Sequence, residues 1–215
     1  QHVVTGINTL DGGAAGALAD TFVGGLGNDT YIVRRAGDQI TEAVGQGTAD
    51  RVKAVVSFTL GAGDNIEFLE TLTPTGLTAI NLTGNEIAQT ITGNAGANTI
   101  IGAAGIDILN GLGGADRFQF NALTEIGDSI INFEAADFIV LKGSVFGVTA
   151  ATLATAFVSR ATDNNAQDTN DRLIFRQSDD TLWYDSNGST AGGTKVMVAD
   201  LSNNFSLTAA DILII

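Results

Sequence analysis

The sequence predicts an all-β chain, a parallel β-roll (β-solenoid) closed by a β-rich C-terminal cap. Three observations predict it. First, residues 84–119 repeat every nine residues, in copies that start at Gly84, Gly93, Gly102 and Gly111. An acid or amide stands at position six (Gln89, Asn98, Asp107, Asp116) and a bulky apolar residue at position eight (Ile91, Ile100, Leu109, Phe118). A fixed short period marks a stack of coils, each burying its apolar residue against the next. Second, the same period runs through residues 15–41, where Gly24-Gly25-Leu26-Gly27-Asn28-Asp29-Thr30-Tyr31-Ile32 is the best single copy. Third, 27 glycines accompany a single proline, which suits a backbone that turns repeatedly through φ > 0.

In the N-terminal array, the copy from Ala15 carries Asp20 at position six and Phe22 at position eight, and the copy from Val33 carries Asp38 and Ile40. The phase then slips. It resumes at Gly45-Gln46-Gly47-Thr48-Ala49-Asp50 and again at Gly61-Ala62-Gly63-Asp64. Val52–Leu60 is rich in β-branched and aromatic residues and Ile66–Leu72 alternates, so each reads as a strand. Residues 73–83 hold the only proline and read as a turn followed by a degenerate repeat. No amphipathic helix is expected before residue 120. The roll is assigned to residues 1–119, two arrays (15–41 and 84–119) joined by degenerate repeats, and the cap to residues 120–215. In the cap, Asp128–Phe133, Asp137–Leu141, Arg172–Arg176, Thr181–Tyr184 and Lys195–Leu201 read as strands. Thr149–Val158 is the best helix candidate, with Thr149 as N-cap, and an acidic, amide-rich loop spans Asp163–Asp171.

Composition removes several classes. A net charge of −14 and a pI near 4.1 oppose nucleic acid or an anionic membrane as partner. Hydrophobic residues make up 44% of the chain and charged ones only 16%, so it forms a core and is not an acidic disordered tail. The lack of cysteine excludes disulfides and thiolate metal sites. A single histidine, His2, removes two-histidine zinc motifs and argues against a Ser-His-Asp triad. No apolar run reaches the roughly 18 residues of a membrane-spanning helix. The chain opens inside a repeat-like stretch, Gly6-Ile7-Asn8-Thr9-Leu10, and reads as a piece of a longer protein.

Positions one to six of the repeat make a turn and seven to nine a short strand. Glycines at one, two and four let backbone carbonyls face a common centre, and the acid at six adds a carboxylate. Calcium, a hard cation taking six to eight oxygens at about 2.3–2.6 Å, fits that donor set. Two nonapeptides make one coil, so repeat n stacks on repeat n+2 and the cation bridges their turns. By this rule Asp20 pairs with Asp38 on one edge while Asp29 faces the other. Gln89 stacks near Asp107, Asn98 near Asp116, and Asp128 continues the ladder of Asp107. The amide rungs carry no charge and are expected to bind weakly or stack dry, through Asn85 with Asn94 and Asn98 with Gln89. The expected calcium ligands are Asp20, Gly24, Gly25, Gly27, Asp29, Asp38, Gly45, Gly47, Asp50, Asp64, Gly102, Gly105, Asp107, Gly111, Gly113, Gly114, Asp116 and Asp128, with Asn98 a weaker candidate. In the cap, Asp185-Ser186-Asn187-Gly188 has the oxygen-rich spacing of a calcium loop, so Asp185 and Asn187 are further candidates. Asn-Gly suits a plain hairpin turn better. Asp163, Asp168 and Asp171 read first as a solvated loop.

The copy from Gly24 to Ile32 resembles the RTX (repeats-in-toxin) nonapeptide GGxGxDxUx, the calcium-binding β-roll. Gly24–Val33, Gly37–Val52, Gly84–Asn98 and Gly102–Phe118 together are similar to an RTX array of the mixed kind. Residues after Asp116 are similar to the C-terminal extension of secreted RTX proteins, including the serralysin-type C-terminal domain, and Asp128–Phe133 matches its D-x-I-x-x-F element. Asp211, followed by Ile212-Leu213-Ile214-Ile215, resembles the acidic-then-hydrophobic terminus read by type I secretion machines. The second array departs from the pattern, with no unit holding glycine at both one and two and with Gln89 and Asn98 replacing aspartate. The resemblance implies a hemolysin-type calcium-binding module, exported unfolded from a Gram-negative bacterium and folding in extracellular calcium.

The expected function is therefore a non-catalytic calcium module that carries its own secretion signal, with calcium ions and the type I secretion apparatus as partners. Two other readings stay open. One is a structural subunit of a surface layer, adhesin or filament, binding copies of itself or cell-surface glycans. The other is the C-terminal domain of a secreted hydrolase or epimerase whose catalytic part lies upstream. Glu67 and Glu70 flank a strand with nothing catalytic around them. Trp183, Tyr184 and the phenylalanines read as core rather than as a sugar platform, and Arg34-Arg35 as surface decoration.

Overall fold

The structure, a computed structural model, describes residues 6–13, 18–163, 165–166, 168–188 and 193–215. Ala15, Gly16 and Ala17, which open the first expected repeat, lie outside the described residues. Short strands alternate with turns through residue 141: β1 (Thr9–Asp11), β2 (Thr21–Val23), β3 (Thr30–Val33), β4 (Gln39–Thr41), β5 (Arg51–Ala54), β6 (Phe58–Thr59) and β7 (Phe68–Thr71). They continue as β8 (Leu82–Thr83), β9 (Thr90–Thr92), β10 (Thr99–Ile101), β11 (Ile108–Asn110), β12 (Arg117–Phe120), β13 (Asp128–Ile131) and β14 (Phe138–Leu141). Then come α1 (Gly143–Phe146), α2 (Leu153–Ala156), β15 (Phe157–Arg160), β16 (Leu173–Arg176), β17 (Thr181–Asp185), β18 (Lys195–Leu201) and, after a 3-10 turn at Ala209–Asp211, β19 (Ile212–Ile214).

The chain folds as a parallel β-solenoid. The odd strands β1 to β13 stack in order as one wall, and β6, β8, β10, β12, β14 and β19 as another, with β2 and β4 forming a separate parallel pair. Between nonapeptides the step from one coil to the next is 18 residues (Gln89 to Asp107, Asn98 to Asp116), and where the phase slips it is 21 (Asp29 to Asp50, Asp107 to Asp128). The apolar residue at position eight faces inward throughout. One row runs Leu10–Tyr31–Val52–Leu69–Ile91–Leu109–Ile130, and the facing row runs Phe58–Leu82–Ile100–Phe118–Ile139–Ile212. All but the half-buried Leu10 are buried, so the two rows are the core of the roll. The parallel coil passes through the expected domain boundary at residues 119–120, because β13 pairs with β11 and β14 with β12 in register.

Several expected elements differ. Val52–Leu60 is two strands on two walls, since the chain turns the corner at residues 55–57 between β5 and β6. The helix expected over Thr149–Val158 shrinks to α2. Thr149 caps only the turn before it, through hydrogen bonds between its hydroxyl and Thr152, and Phe157 and Val158 leave the helix to pair with Leu173 and Ile174 of β16. Pairing of the half-buried Phe157 and Val158 with the buried Leu173 and Ile174 outweighs the helix propensity of the alanines. At position two of the last repeats, where glycine is missing, Ala103 and Leu112 each take φ +69, the left-handed conformation that Gly25 adopts at φ +86.

Tight packing in the inward rows makes each member costly to shorten. Ile100, fully buried between Leu82 and Phe118, should lose about 2–5 kcal/mol on Ile100→Ala. Urea denaturation in calcium would measure it, and a change below about 1 kcal/mol would contradict a close-packed row.

Candidate metal centres

At or one residue before the start of every strand from β1 to β14 except β6, the chain places an acid or amide, and most of these are hydrogen-bonded to the matching residue of a neighbouring coil. On the edge leading into the odd strands, Asn8 N–H donates to Asp29 Oδ1 (2.7 Å), Asp29 N–H to Asp50 Oδ1 (2.7 Å) and Asp50 N–H to Glu67 Oε2 (2.8 Å). After the step at Gln89 the same bond recurs from Gln89 to Asp107 (2.6 Å) and from Asp107 to Asp128 (2.9 Å). On the other edge it joins Asp20 to Asp38 (2.9 Å), Asn98 to Asp116 (2.8 Å) and Asp116 to Asp137 (2.8 Å). The pairing of Asp20 with Asp38, Gln89 with Asp107 and Asn98 with Asp116 is as the period predicts, and Asp128 continues the ladder of Asp107 beyond the last repeat, by a 21-residue step.

Each ladder acid has a second oxygen, and these oxygens divide the sites. Asp29, Asp50, Asp107, Asp116 and Asp128 are fully buried, and the Oδ2 of each has no hydrogen-bond partner. A buried, unpaired carboxylate oxygen is expensive unless a proton or a cation meets it. The remaining acids are satisfied from within. Asp137 Oδ2 accepts from Glu134 N–H (2.8 Å) and Asp38 Oδ2 from the Arg34 and Arg35 N–H groups (3.0 Å each). Arg35 also forms an ion pair with Asp20 (2.6 Å) and approaches Asp38 (3.8 Å), while Arg34 holds Asp11 (2.7 Å) and keeps its carboxyl low, at about 2. The arginine doublet is thus the counter-charge of the first acidic rung and not decoration, and Asp20 and Asp38 have an internal cation.

The amide rungs are dry. Gln89 Oε1 accepts from Asn85 N–H (3.2 Å) and its amide donates to Asn85 Oδ1, while Asn98 bonds Asn94 N–H (2.8 Å), Asn94 Oδ1 (3.0 Å) and the Ile80 carbonyl (2.8 Å). These pairs form within one repeat. The expected partners Asn85 with Asn94 and Asn98 with Gln89 do not meet, because successive repeats face opposite edges. The Asn98 side chain itself is therefore satisfied within the protein.

Glycine makes room for the unpaired oxygens. A Cβ at Gly24 would meet Asp29 Oδ2, Glu42 Oε2 and the Tyr31 hydroxyl, and one at Gly102 would meet both Asp107 Oδ2 and Asp128 Oδ2. Gly47 leaves space for Asp50 Oδ2 beside the Gly27 carbonyl, and Gly111 for Asp116 Oδ2. Gly27, Gly105 and Gly114 take φ between +117 and +123 and let the turn backbones of successive coils touch. Gly25 and Gly45 serve the turn through positive φ, whereas Gly113 approaches nothing.

Other expected ligands sit elsewhere. Asp64 closes its own turn, accepting from Gly61 N–H (3.0 Å), and Glu67 takes its place in the ladder. Asp185 accepts from Asn187 N–H (3.1 Å) in a turn after β17, with Gly188 at φ +69, so this motif acts as a hairpin turn. Asp168 and Asp171 close a turn on each other through backbone and carboxylate. Asp211 caps the terminal 3-10 turn by accepting from Thr208, while Ile212, Leu213 and Ile214 pair with β14 and Ile215 is exposed. Tyr184 packs edge-on against Phe146 as core, but Trp183 is half-buried under the Arg176 guanidinium.

Three residues of the centres were not foreseen: Glu42, Glu67 and Asp137. Asp137 had a legible signal, since it precedes a strand and stands 21 residues after Asp116, as Asp128 does after Asp107. Asp29, Glu42 and Asp50 bring one carboxylate oxygen each within 4.8 Å of one another. Burial pushes Asp107 and Asp116 up to about 7, Asp128 up to about 8 and Glu42 up to about 7. Burial also raises Asp50, with the charges of Glu67 and Asp29 adding to it. No protein-family model and no curated protein sequence matches this chain.

These acids bind protons more tightly folded than unfolded. Their contribution to stability is complete below about pH 4, the unfolded value, and is lost as pH climbs through about 7 to 8. In chelator, urea denaturation should show stability falling from pH 5 to pH 8.5. The double variant Asp107→Asn, Asp128→Asn should flatten that fall, and an identical slope would refute the assignment.

Proposed function

We propose that this chain is a calcium-binding module of the RTX β-roll kind, whose folded state is held by cations taken up between its coils. The observation that carries this reading is the convergence of Asp107 Oδ2 and Asp128 Oδ2, both buried and unpaired, on the space left by Gly102. The donors are all oxygens, carboxylate and carbonyl, which suits calcium rather than zinc or copper. The residues fit the ion: it would sit against Asp107 and Asp128, against Asp29 and Asp50, and against Asp116, supplying the charge that buried carboxylates lack. Its role is structural, and the chain's chemistry is cation uptake rather than catalysis.

Compartment follows from the affinity such sites have. Extracellular calcium modules bind at roughly 0.1–1 mM, far above cytosolic free calcium. The chain is thus loose inside a cell and rigid outside it, in line with export through a type I apparatus and folding at the cell surface or beyond. The terminal strand Ile212–Ile214 closes one wall of the folded solenoid, so a machine that reads it must do so before folding.

Calorimetry and circular dichroism test the reading together. Calcium should bind with more than one equivalent, and at tenfold over the dissociation constant each site should stabilise the chain by about 1.4 kcal/mol. Magnesium should bind more weakly, since it tolerates only a small octahedral shell. A β spectrum and melting curve unchanged between calcium and chelator would sink the proposal.

A further inference from the structure

The centre at Asp29, Glu42 and Asp50 differs in kind from the rest of the ladder. Glu42 belongs to no sixth position; it follows β4 at the start of the long turn that ends at Asp50. Its side chain is nevertheless 1% exposed, and its Oε1 is buried without a partner, as are Asp29 Oδ2 and Asp50 Oδ2. Its other oxygen accepts from the Tyr31 hydroxyl, whose ring stands in the inward row of the core. Tyr31 therefore fixes the Glu42 carboxylate from beneath and brings a neutral oxygen to the same spot over Gly24.

The basic groups of neighbouring strands are engaged elsewhere. Arg51 and Lys53 pair with Glu70 (2.7 and 3.4 Å), Arg34 with Asp11 and Arg35 with Asp20. By contrast the Gly102 centre has two carboxylates, and Asp116 stands alone because the second oxygen of Asp137 accepts from Glu134 N–H. Ligand charge and rigidity set calcium affinity. On both counts the N-terminal centre exceeds the others.

Resting on the calcium reading above, we infer that Asp29, Glu42 and Asp50 form a separate, tighter class of site for a large hard cation, calcium or a lanthanide, that fills before the Asp107–Asp128 centre. Glu42 is its third carboxylate ligand and Tyr31 is a positioning residue. On their shared edge Glu67 and the dry rung at Gln89 lie between the two classes, so neither borrows ligands from the other.

Terbium reports directly on this site, because a tyrosine beside the ion sensitises its emission. The chain has two tyrosines and one tryptophan, and Trp183 and Tyr184 lie in β17 of the cap. Titrating the full chain with terbium should give tyrosine-sensitised emission that saturates at the first equivalent. Tyr31→Phe should remove most of that emission while calcium still competes for the ion. Glu42→Gln, which keeps the side-chain shape, should weaken the first equivalent by roughly tenfold or more and leave the later calcium equivalents in place by calorimetry. Asp128→Asn should spare the first equivalent. Emission that survives in Tyr31→Phe, an unchanged first equivalent in Glu42→Gln, or loss of the first equivalent in Asp128→Asn would each overturn the inference. The absence of calcium binding in the wild-type chain would instead remove the broader calcium reading, so the two failures are distinguishable.

Discussion

The hydrogen bond from the backbone of one coil to the carboxylate of the next governs this structure. Asp29, Asp50, Asp107, Asp116 and Asp128 each use one oxygen to accept the N–H of the ladder residue one coil earlier. That bond fixes the register of the coils and forces the second oxygen into the turn, where no protein donor meets it. Stacking at the spacing of a sheet, about 4.8 Å, then brings like charges together in a buried place. The fold thus generates its own demand for positive charge. Along the ladder that demand is met in different ways: by Arg35 at Asp20 and Asp38, by a further backbone N–H at Asp137, and by uncharged amides at Gln89 and Asn98. Where none of these is present, a proton or an external cation must serve.

Much of this is legible in the sequence, for a physical reason. A solenoid repeats one local solution, so periodicity exposes both the inward residue and the ladder residue. The inward positions Tyr31, Ile91, Ile100, Leu109 and Phe118 and the ladder pairs of Asp20, Gln89 and Asn98 follow from the nine-residue frame, and Asp128 continues the ladder of Asp107 one step past the last repeat. What escaped is whatever depends on leaving the frame. Glu42 reaches its centre only because the turn after β4 is long, and no period marks it. Asp64 keeps the motif but loses the ladder to Glu67, since the step from Asp50 is 17 residues there. Arg34 and Arg35 look like surface because their partners Asp11 and Asp20 are distant in sequence.

The cap shows the limit of local propensity. Residues 149–158 favour a helix by composition, yet the edge of an existing sheet offers Phe157–Arg160 a ready partner in β16. The last strand does the same at the other wall, where Ile212 closes the inward row begun at Phe58. A terminus that completes a core row is stable only once that row exists, so the end of the chain depends on the coils before it.

Position two of the turn carries the same lesson about where the sequence departs from its frame. Ala103 and Leu112 hold the left-handed conformation at φ +69 that glycine would adopt without strain. Such a conformation costs an L-residue roughly 1–2 kcal/mol, and here it recurs in the two repeats that carry Asp107 and Asp116. The strain persists because the coil-to-coil hydrogen bonds on either side of each turn over-determine its backbone. The ladder, not turn propensity, therefore shapes these turns, and the unpaired oxygens they enclose are a consequence of stacking rather than of any single loop.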